Sequence, residues 1–468
     1  MTIVPIGKVQ LQEPKGTDSA YWRKLHEQLE NVTQEVIGRC LEELLRTELD
    51  QHLKRKRHQR RSQEAGATDL RTKCQRCGSQ KISDYRRNGS YERGLDTHYG
   101  HVHFRMPQVE CQCGGSVRVA YRMLKPRQRI WEDVQVQIRQ KAGLKMSLRE
   151  IKAELDACLG GSLGLRTINE CIRATQPGEE VWRRLPVERL PPVLVVDGIW
   201  VTVMLSNGTQ RKDACGRQRS VKHGERRVVL VAQGVWPTTG RREVLGWVIA
   251  QNEDQASWSD LIALLRQKGV YMEQVQLVIG DGSPGFEALR QRQFAQTPFQ
   301  RCIFHKLQNV SRDLLPPPQL SRAQARDYKK AILQQAEQVW EAEVESDARQ
   351  RLRAFCLRWQ AEQPAAVATL QRDFDLTLTF FCVQVDASLR GEQWPVQLLR
   401  TSSHLERENR EIRSRFRRAL LFHSLEGLSA SLLLFFLMRK SVFLSVPNLD
   451  QFDRDLDALL DLGHHFLN

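Results

Sequence analysis

Val193-Leu194-Val195-Val196-Asp197-Gly198 is a run of aliphatic residues ending in an aspartate and a glycine, and Val275-Gln276-Leu277-Val278-Ile279-Gly280-Asp281-Gly282 repeats the pattern. Short apolar runs rich in β-branched residues and closed by turn residues read as buried strands. A buried strand that ends in Asp-Gly delivers its carboxylate to the sheet edge, where the glycine leaves space for a ligand. Taken singly, each is equally an ordinary strand closed by an Asp-Gly turn. Two of them in one domain, with a later acidic residue on an amphipathic helix, favour a shared site.

Working outward, Arg227-Val228-Val229-Leu230-Val231-Ala232-Gln233-Gly234 and Glu243-Val244-Leu245-Gly246-Trp247-Val248-Ile249 are two further strands. A helix is expected from Ser257 to Lys268. Three strands, a helix and a fourth strand suit a ribonuclease-H-like core, a meander joined to its next strand by a crossover. After Pro316-Pro317-Pro318 the texture changes to charged amphipathic helices, which read as an all-helical insertion. The chain then returns to a core-type helix around Glu406. Leu428 to Met438, closed by Glu426 and Arg439-Lys440, is too short to span a bilayer and reads as a buried helix.

Ahead of this core the pattern is different. From Tyr21 to Leu53 apolar residues recur at helical steps and run into Lys54-Arg55-Lys56-Arg57-His58-Gln59-Arg60-Arg61, either a solvated helix end or a phosphate-contacting segment. Cys74-Gln75-Arg76-Cys77 and Cys111-Gln112-Cys113-Gly114-Gly115 flank strand-like sequence, so Cys74, Cys77, Cys111 and Cys113 form a candidate four-thiolate cage for one structural Zn²⁺. His98, His101 or His103 is the alternative ligand should one thiolate be missing. Leu148-Arg149-Glu150-Ile151-Lys152, the turn Gly160-Gly161-Ser162, and Arg166-Thr167-Ile168-Asn169-Glu170 follow as helix, tight turn and helix. That is the pattern of a helix-turn-helix, which would bring Arg166 and Thr167 to DNA.

The 468 residues carry a formal net charge of +16, from 71 Lys and Arg against 55 Asp and Glu. Such a surplus favours a polyanionic partner, because neutralising phosphates releases condensed counterions. With 41% hydrophobic residues wholesale disorder is not expected. Lys8, Glu13 and Lys15 interrupt the N-terminal stretch, so no secretory leader is expected. Eleven cysteines in a chain of this length fit metal binding or burial in a reducing cytosol better than a disulfide framework.

Clustered carboxylates from separate elements suit phosphodiester chemistry. Two Mg²⁺ ions, with Mn²⁺ as a substitute, activate a water or hydroxyl and stabilise the leaving oxygen. Asp197 would bridge them, with Asp281 holding one and Glu406 the other. Double-stranded DNA is the partner that the charge and the helix-turn-helix suggest. Arg226 and Arg227, with Arg211, Lys212, Arg217, Arg219 and Lys222, make the segment between the first two strands basic, either a DNA contact or a solvated loop. Arg413, followed by Arg415, Arg417 and Arg418, would line a DNA channel. Trp340 and Trp359 in the insertion are core residues or, alternatively, stacking platforms for an unpaired base.

Gly280-Asp281-Gly282-Ser283-Pro284-Gly285-Phe286-Glu287-Ala288-Leu289, followed by Gln300-Arg301-Cys302-Ile303-Phe304-His305-Lys306-Leu307-Gln308-Asn309-Val310, resembles the mutator-type family of insertion-sequence transposases. Arg242-Glu243-Val244-Leu245-Gly246 and Trp258 agree, and so does Arg87-Asn88-Gly89 upstream. Thr401-Ser402-Ser403-His404-Leu405-Glu406-Arg407-Glu408-Asn409-Arg410-Glu411-Ile412-Arg413 is similar to the helix that bears the family's final catalytic Glu. The resemblance implies Asp197, Asp281 and Glu406 as a DDE set. Asn409 and Glu411-Ile412-Arg413 align better with Glu406 than with its neighbour Glu408. Cys302 and His305 would either support the active site, His305 by orienting the scissile phosphate, or be a buried cysteine and a core-satisfied histidine, with metal ligation the third reading. It further implies transposition through terminal inverted repeats into target DNA, by a homodimer in a bacterial cytoplasm, at the nucleoid when acting. The cysteine pairs and His404-Leu405 depart from the commonest members, which marks a divergent branch.

The expected organisation is thus α/β and multidomain. Residues 1–70 form a basic helical segment, 71–125 a zinc-ribbon-like module and 126–190 a helix-turn-helix region. A ribonuclease-H-like core in two parts, 191–310 and 396–468, encloses the helical insertion 311–395. The alternative reading is a non-catalytic zinc-ribbon and helix-turn-helix regulator derived from a transposase. A ribonuclease-H-like nuclease acting on RNA or junctions shares the metal chemistry but has no use for a helix-turn-helix.

Overall fold

The computed structural model describes residues 19–59, 72–159, 163–402, 422, 424–440, 442–443 and 446–466. It is a mixed α/β structure that divides into two compact units, Met1–Ala142 with Leu148–Cys171, and Gly143–Ser147 with Ile172–Asn468.

In the first unit, α1 (Ser19–Leu53) is the long amphipathic helix read from the sequence. Strands β1 (Lys73–Cys74), β2 (Tyr85–Thr97), β3 (Gly100–Cys111) and β4 (Val117–Arg118) follow. β2 and β3 pair as an antiparallel hairpin, from Tyr85 opposite Cys111 to Thr97 opposite Gly100, and β1 pairs with β4. Leu41 and Leu45 of α1 pack with Leu95, Val102, Phe104 and Met106 of the hairpin, and Leu49 and Leu53 with Cys74, Tyr85, Val109 and Cys111. Four-residue steps put these leucines on one helix face. A Cβ on Gly38 would stand 2.4 Å from the His103 carbonyl oxygen, so helix and hairpin touch backbone to backbone there. The helices α2 (Glu132–Gly143), α3 (Leu148–Leu159) and α4 (Leu165–Arg173) come next. The last two are the expected helix pair; the glycine turn between them, at 160–162, lies outside the described residues.

The second unit opens with α5 (Gln176–Arg184) and the strands β5 (Val193–Lys212), β6 (Gln218–Trp236) and β7 (Arg241–Ala250), then α6 (Gln255–Gln267), β8 (Leu277–Gly280), α7 (Pro284–Gln293) and β9 (Phe299–Arg301). The sheet order is β7-β6-β5-β8-β9. The first three strands form the expected antiparallel meander; β8 is parallel to β5, and β9 to β8. Parallel neighbours need a crossover, and α6 supplies it. Leu194, Val196, Leu230 and Val278 pack under Trp258, Leu261 and Leu265 of α6 and Phe286 and Leu289 of α7. On the opposite face Trp182 of α5 stacks on Trp247 at 4.4 Å between ring centroids, and Phe436 lies 5.1 Å from the same ring. A sheet covered on both faces explains why its strands read as continuous apolar runs.

Two features differ from the sequence reading. β9 is a fifth strand of three residues, too short to carry a period. β5 and β6 run far past their apolar halves into a hairpin, with Lys212 paired to Gln218, whose exposed end holds Arg211, Lys212, Arg217 and Arg219. From Leu205 to Lys212 this arm extends roughly 26 Å at ~3.3 Å per residue. Its polar alternation carries no burial signal, so the sequence leaves a basic hairpin tip and a solvated loop equally open there.

Helices α9 (Arg322–Glu337), α10 (Glu345–Trp359), α11 (Pro364–Gln371) and α12 (Thr379–Leu389) fall in the segment 311–395 read as a helical insertion, with α8 (Ile303–Asp313) running into it and α13 (Val396–Arg400) just after it. Trp340 is buried there and its indole N–H donates to the Thr377 hydroxyl at 2.8 Å, while the Trp359 N–H donates to Gln335. Trp340 is therefore a core residue and offers no ring face to a base. The chain closes with α14 (Leu425–Lys440), whose residues Leu428 to Met438 are buried apart from Ser431, the short strands β10 (Val442–Phe443) and β11 (Val446–Pro447), and α15 (Leu449–Phe466). α5 packs on α15: a Cβ on Gly463 would meet Pro177 at 2.9 Å. Among the described residues no helix is long and apolar enough to cross a membrane.

Trp258 is fully buried and meets Phe286 edge-on at 5.0 Å. Trp258→Ala is expected to lower the stability of this unit by about 3–5 kcal/mol, read by calorimetry. Leu357→Ala, at a side chain 85% exposed on α10, should leave the same transition unmoved.

Candidate active site and thiolate cluster

Val195 of β5 lies opposite Ile279 of β8 in a parallel register. Two residues further along each strand direction stand Asp197 and Asp281. Side chains alternate faces with a period of two, so Asp197 shares the face of Val195, and Asp281 follows the last residue of β8, which puts both aspartates at the same end of adjacent strands. Asp197 is buried at 4% exposure, and its Oδ1 accepts from the Gly198 amide at 2.8 Å. Asp281 begins the loop after β8, where its Oδ1 accepts from the Ser283 amide, also at 2.8 Å.

A third carboxylate, which the sequence reading did not single out, joins them. Glu253 lies between β7 and α6, at the same end of the sheet. A Cβ on Gly198 would stand 3.2 Å from Glu253 Oε2, and one on Gly285 would stand 2.7 Å from the Glu253 carbonyl oxygen. Gly198, directly after Asp197, and Gly285, four residues past Asp281, thus make room for this one loop. Burial, then the charges of Asp281 and Asp197, push the Glu253 carboxyl up to about 7, with Ser283 and His305 opposing the rise. Gln251-Asn252-Glu253-Asp254 directly follows Val248-Ile249-Ala250, so a third apolar strand closed by a carboxylate-bearing turn was a signal in the sequence.

Cys302 and His305 sit at the start of α8. The Cys302 amide donates to the Gly280 carbonyl at 2.7 Å, and its buried sulfur accepts from both the amide and the hydroxyl of Ser402 at 3.2 Å. The chain entering the Glu406 segment is thereby fixed one residue from Asp281. Residues 403–421, and with them Glu406, Asn409 and Arg413, lie outside the described residues. The chain is described again at Phe422, which pairs with Val203 of β5 and accepts from the Met204 amide at 2.7 Å. His305 is half-buried, near enough to Glu253 to lower its pKa.

In the first unit Cys74, Cys77, Cys111 and Cys113 bring their sulfurs within 4.8 Å of one another. Cys74 and Cys113 are 3.5 Å apart, and Cys77 and Cys111 3.7 Å. Four thiolates around one Zn²⁺ at ~2.3 Å would stand about 3.8 Å apart. Gly78 and Gly114 take positive φ of 72° and 76° directly after the cysteines, and a Cβ on Gly115 would lie 2.8 Å from the Cys74 sulfur. The two knuckles therefore need glycine to close on the sulfurs. Backbone amide donation, chiefly from Cys77, holds the Cys74 thiol down at about 6, whereas burial pushes Cys111 up to about 12. The alternative histidine ligands are committed elsewhere: His101 to Asp96 at 2.6 Å, His103 to Glu92 at 3.3 Å and His98 to Gln137 at 2.5 Å.

Of the residues read as DNA contacts, Arg166 is 91% exposed on the first turn of α4 and pairs with Glu170 at 2.8 Å, with Thr167 half-buried beside it. Arg226 lies over the Trp200 ring at 4.7 Å, and Arg227 is mostly buried against Glu225.

The raised Glu253 carboxyl has a consequence for stability. Its folded pKa stands above the ordinary 4.5, so the group lowers stability progressively as pH rises from 4.5 to about 7, and the loss is constant above that. Metal-free Glu253→Gln is therefore expected to gain about 1 kcal/mol over the parent at pH 8, screening included, and nothing at pH 4. Denaturant melts at the two pH values check this.

The chain matches the family model "Transposase, Mutator family" over residues 13–438. It is 27% identical over 353 residues to a transposase for insertion sequence element IS905 of Lactococcus lactis subsp. lactis, covering 75% of this chain and 78% of that one. A transposase for insertion sequence element ISRM5 of Rhizobium meliloti is 24% identical over 382 residues, 81% of each chain. Among solved structures, the Drosophila P element transposase strand transfer complex aligns with a TM-score of 0.29 and 11% identity, covering 73% of this chain and 92% of that one. With the family model spanning nearly all of its length, the chain belongs to the Mutator family of transposases.

Proposed function

We propose that the chain is a DDE transposase that cuts and joins DNA strands at the ends of an insertion sequence. The observation that supports this reading is that Asp197 and Asp281 stand at the same end of two adjacent parallel strands, close enough that both raise the Glu253 carboxyl. The meander followed by two parallel strands supports a ribonuclease-H-like core. Glu406, the acidic residue that the family resemblance supplies, completes the set.

The donors suit Mg²⁺, a hard ion that prefers carboxylate oxygens and keeps part of its water. Asp197, Asp281 and Glu406 would hold such ions. Bound there, they would supply a nucleophile at neutral pH and offset charge on the leaving oxygen. The chain's own residues hold and orient. The Gly198 and Ser283 amides fix the two aspartates, Cys302 fixes the approach to Glu406, and His305 faces the same carboxylates. Glu253, whose carboxyl is raised in the metal-free site by burial and by the charges of Asp281 and Asp197, lies beside the same aspartates.

The four thiolates hold one structural Zn²⁺, and the small first unit depends on it. Its helix pair α3–α4 docks on DNA through Arg166 and Thr167, while Arg226 and Arg227 belong to the basic arm. Two element ends processed together call for a homodimer. The non-catalytic regulator is the reading to test against.

With Mg²⁺ and a duplex of the element's own ends, the purified protein should nick or join strands. Asp197→Asn, Asp281→Asn and Glu406→Gln should each slow this by roughly a thousandfold or more, since several kcal/mol of charge stabilisation is lost, with end binding retained. Binding without cleavage by the unsubstituted protein would instead indicate the regulator. Elemental analysis should find about one zinc per chain, lost together with the first unit's melting transition in Cys74→Ser/Cys111→Ser. A folded, metal-free preparation would remove the zinc assignment.

A further inference from the structure

Next to the aspartates lies a cleft of about 180 Å³ lined by Arg301, Lys306, Arg312 and Arg372, with Asp313 as the lining carboxylate. Arg301 ends β9 opposite Gly280. Its guanidinium carbon would lie 3.3 Å from a Cβ on Gly282, so the cleft begins one residue past Asp281. α8 supplies Lys306, Arg312 and Asp313, and the C-terminal end of α11 brings Thr369 and Arg372 across from them.

The charges in this cleft are poorly offset. The Thr369 hydroxyl donates to Asp313 at 2.5 Å, and Asp373 pairs with Arg301. Among the described residues Lys306, Arg312 and Arg372 form no ion pair with a carboxylate. Lys306 is 1% exposed and its ammonium donates to the Arg372 carbonyl; Arg312 donates to the Asn309 side chain. Arg301 Nε is buried with no hydrogen-bond partner among the described residues. A buried ammonium beside the Arg301 and Arg372 charges is costly unless an anion completes the site. Burial, then the Arg301 charge, push Lys306 down to about 8, as expected of a cation waiting for its counter-charge.

We propose that this cleft binds a backbone phosphate of the DNA strand that passes Asp281, beside the phosphate being cut. The inference rests on the DNA-cleaving function proposed above and assigns that site a strand-guiding subsite. A phosphate suits the cleft in charge, in acceptor oxygens for guanidinium forks and in size. The volume falls below the roughly 300–1,000 Å³ of pockets that enclose a whole small ligand, so a backbone group rather than a nucleotide is the occupant. The contact carries no base information, and it fixes register along the strand.

The test uses the full chain, a fluorescent duplex of the element's terminal sequence, and EDTA, so that metal chemistry plays no part. Arg312 and Arg372 are both exposed, so Arg312→Gln/Arg372→Gln should fold as the parent does. It should weaken binding about five- to tenfold near physiological salt and reduce the slope of log affinity against log salt by about 1, one phosphate contact. Arg312→Lys, which keeps the charge, should retain the parent slope. Equal slopes and affinities for parent and double variant overturn the cleft while leaving the cleavage assignment to the aspartate and glutamate variants. A parent that neither binds nor cuts the duplex overturns both. Inorganic phosphate provides the third arm. If it raises the melting temperature of the parent but not of the double variant, and DNA binding is the same in both, the cleft serves a free anion and the DNA assignment falls.

Discussion

The pairing of β8 alongside β5, with Val195 opposite Ile279, is the constraint on which the second unit turns. It is a parallel contact between strands far apart in sequence, so a crossover and a covered sheet face must both form before it holds. Trp258, Leu261 and Leu265 of α6 and Phe286 of α7 provide that cover. A shift of one residue would turn one aspartate to the opposite face. The apolar core therefore does more than stabilise the unit: it sets which side chains meet at the end of the sheet.

What meets there is unfavourable by itself. Asp197 is nearly buried, Asp281 stands beside it, and both raise the pKa of Glu253. Like charges brought together in a partly desolvated space oppose folding, and the surrounding backbone answers with amide donors at Asp197 and Asp281 and with glycines that admit Glu253. One step further along, the charge reverses. Arg301, Lys306, Arg312 and Arg372 line a cleft that starts at Gly282. An acidic site bordered by a cationic one suits a polyanion that needs its charge offset by metal at one phosphate and by side chains at the next.

The first unit solves a different problem. Its hairpin is long, and its apolar contacts with α1 are two small clusters around Leu45 and Leu49. Small cores are marginal without a further cross-link. The four sulfurs, spaced as a tetrahedral site requires, lie where β1, the hairpin and β4 converge, so one bound ion would tie together segments that share little apolar surface.

Several features were legible without coordinates because they are local. α1, the meander strands, α6, the buried helix α14 and the cysteine knuckles each follow from periodicity or spacing within a short window, and the motif around Asp281 carried the family. The polar arm of β5 and β6 was not legible, since an exposed two-stranded ribbon has no apolar alternation, and neither was β9, which is too short to carry any. Glu253 and the cleft depend on the tertiary structure altogether. A glutamate in a loop acquires its environment only when Gly198 and Gly285 close around it, and Lys306 becomes a buried cation only when α11 folds over α8. Sequence determined which residues could form strands, helices and thiolate knuckles; tertiary structure decided which charges face one another, because electrostatic energy depends on separation and burial in space, and neither can be read from position along the chain.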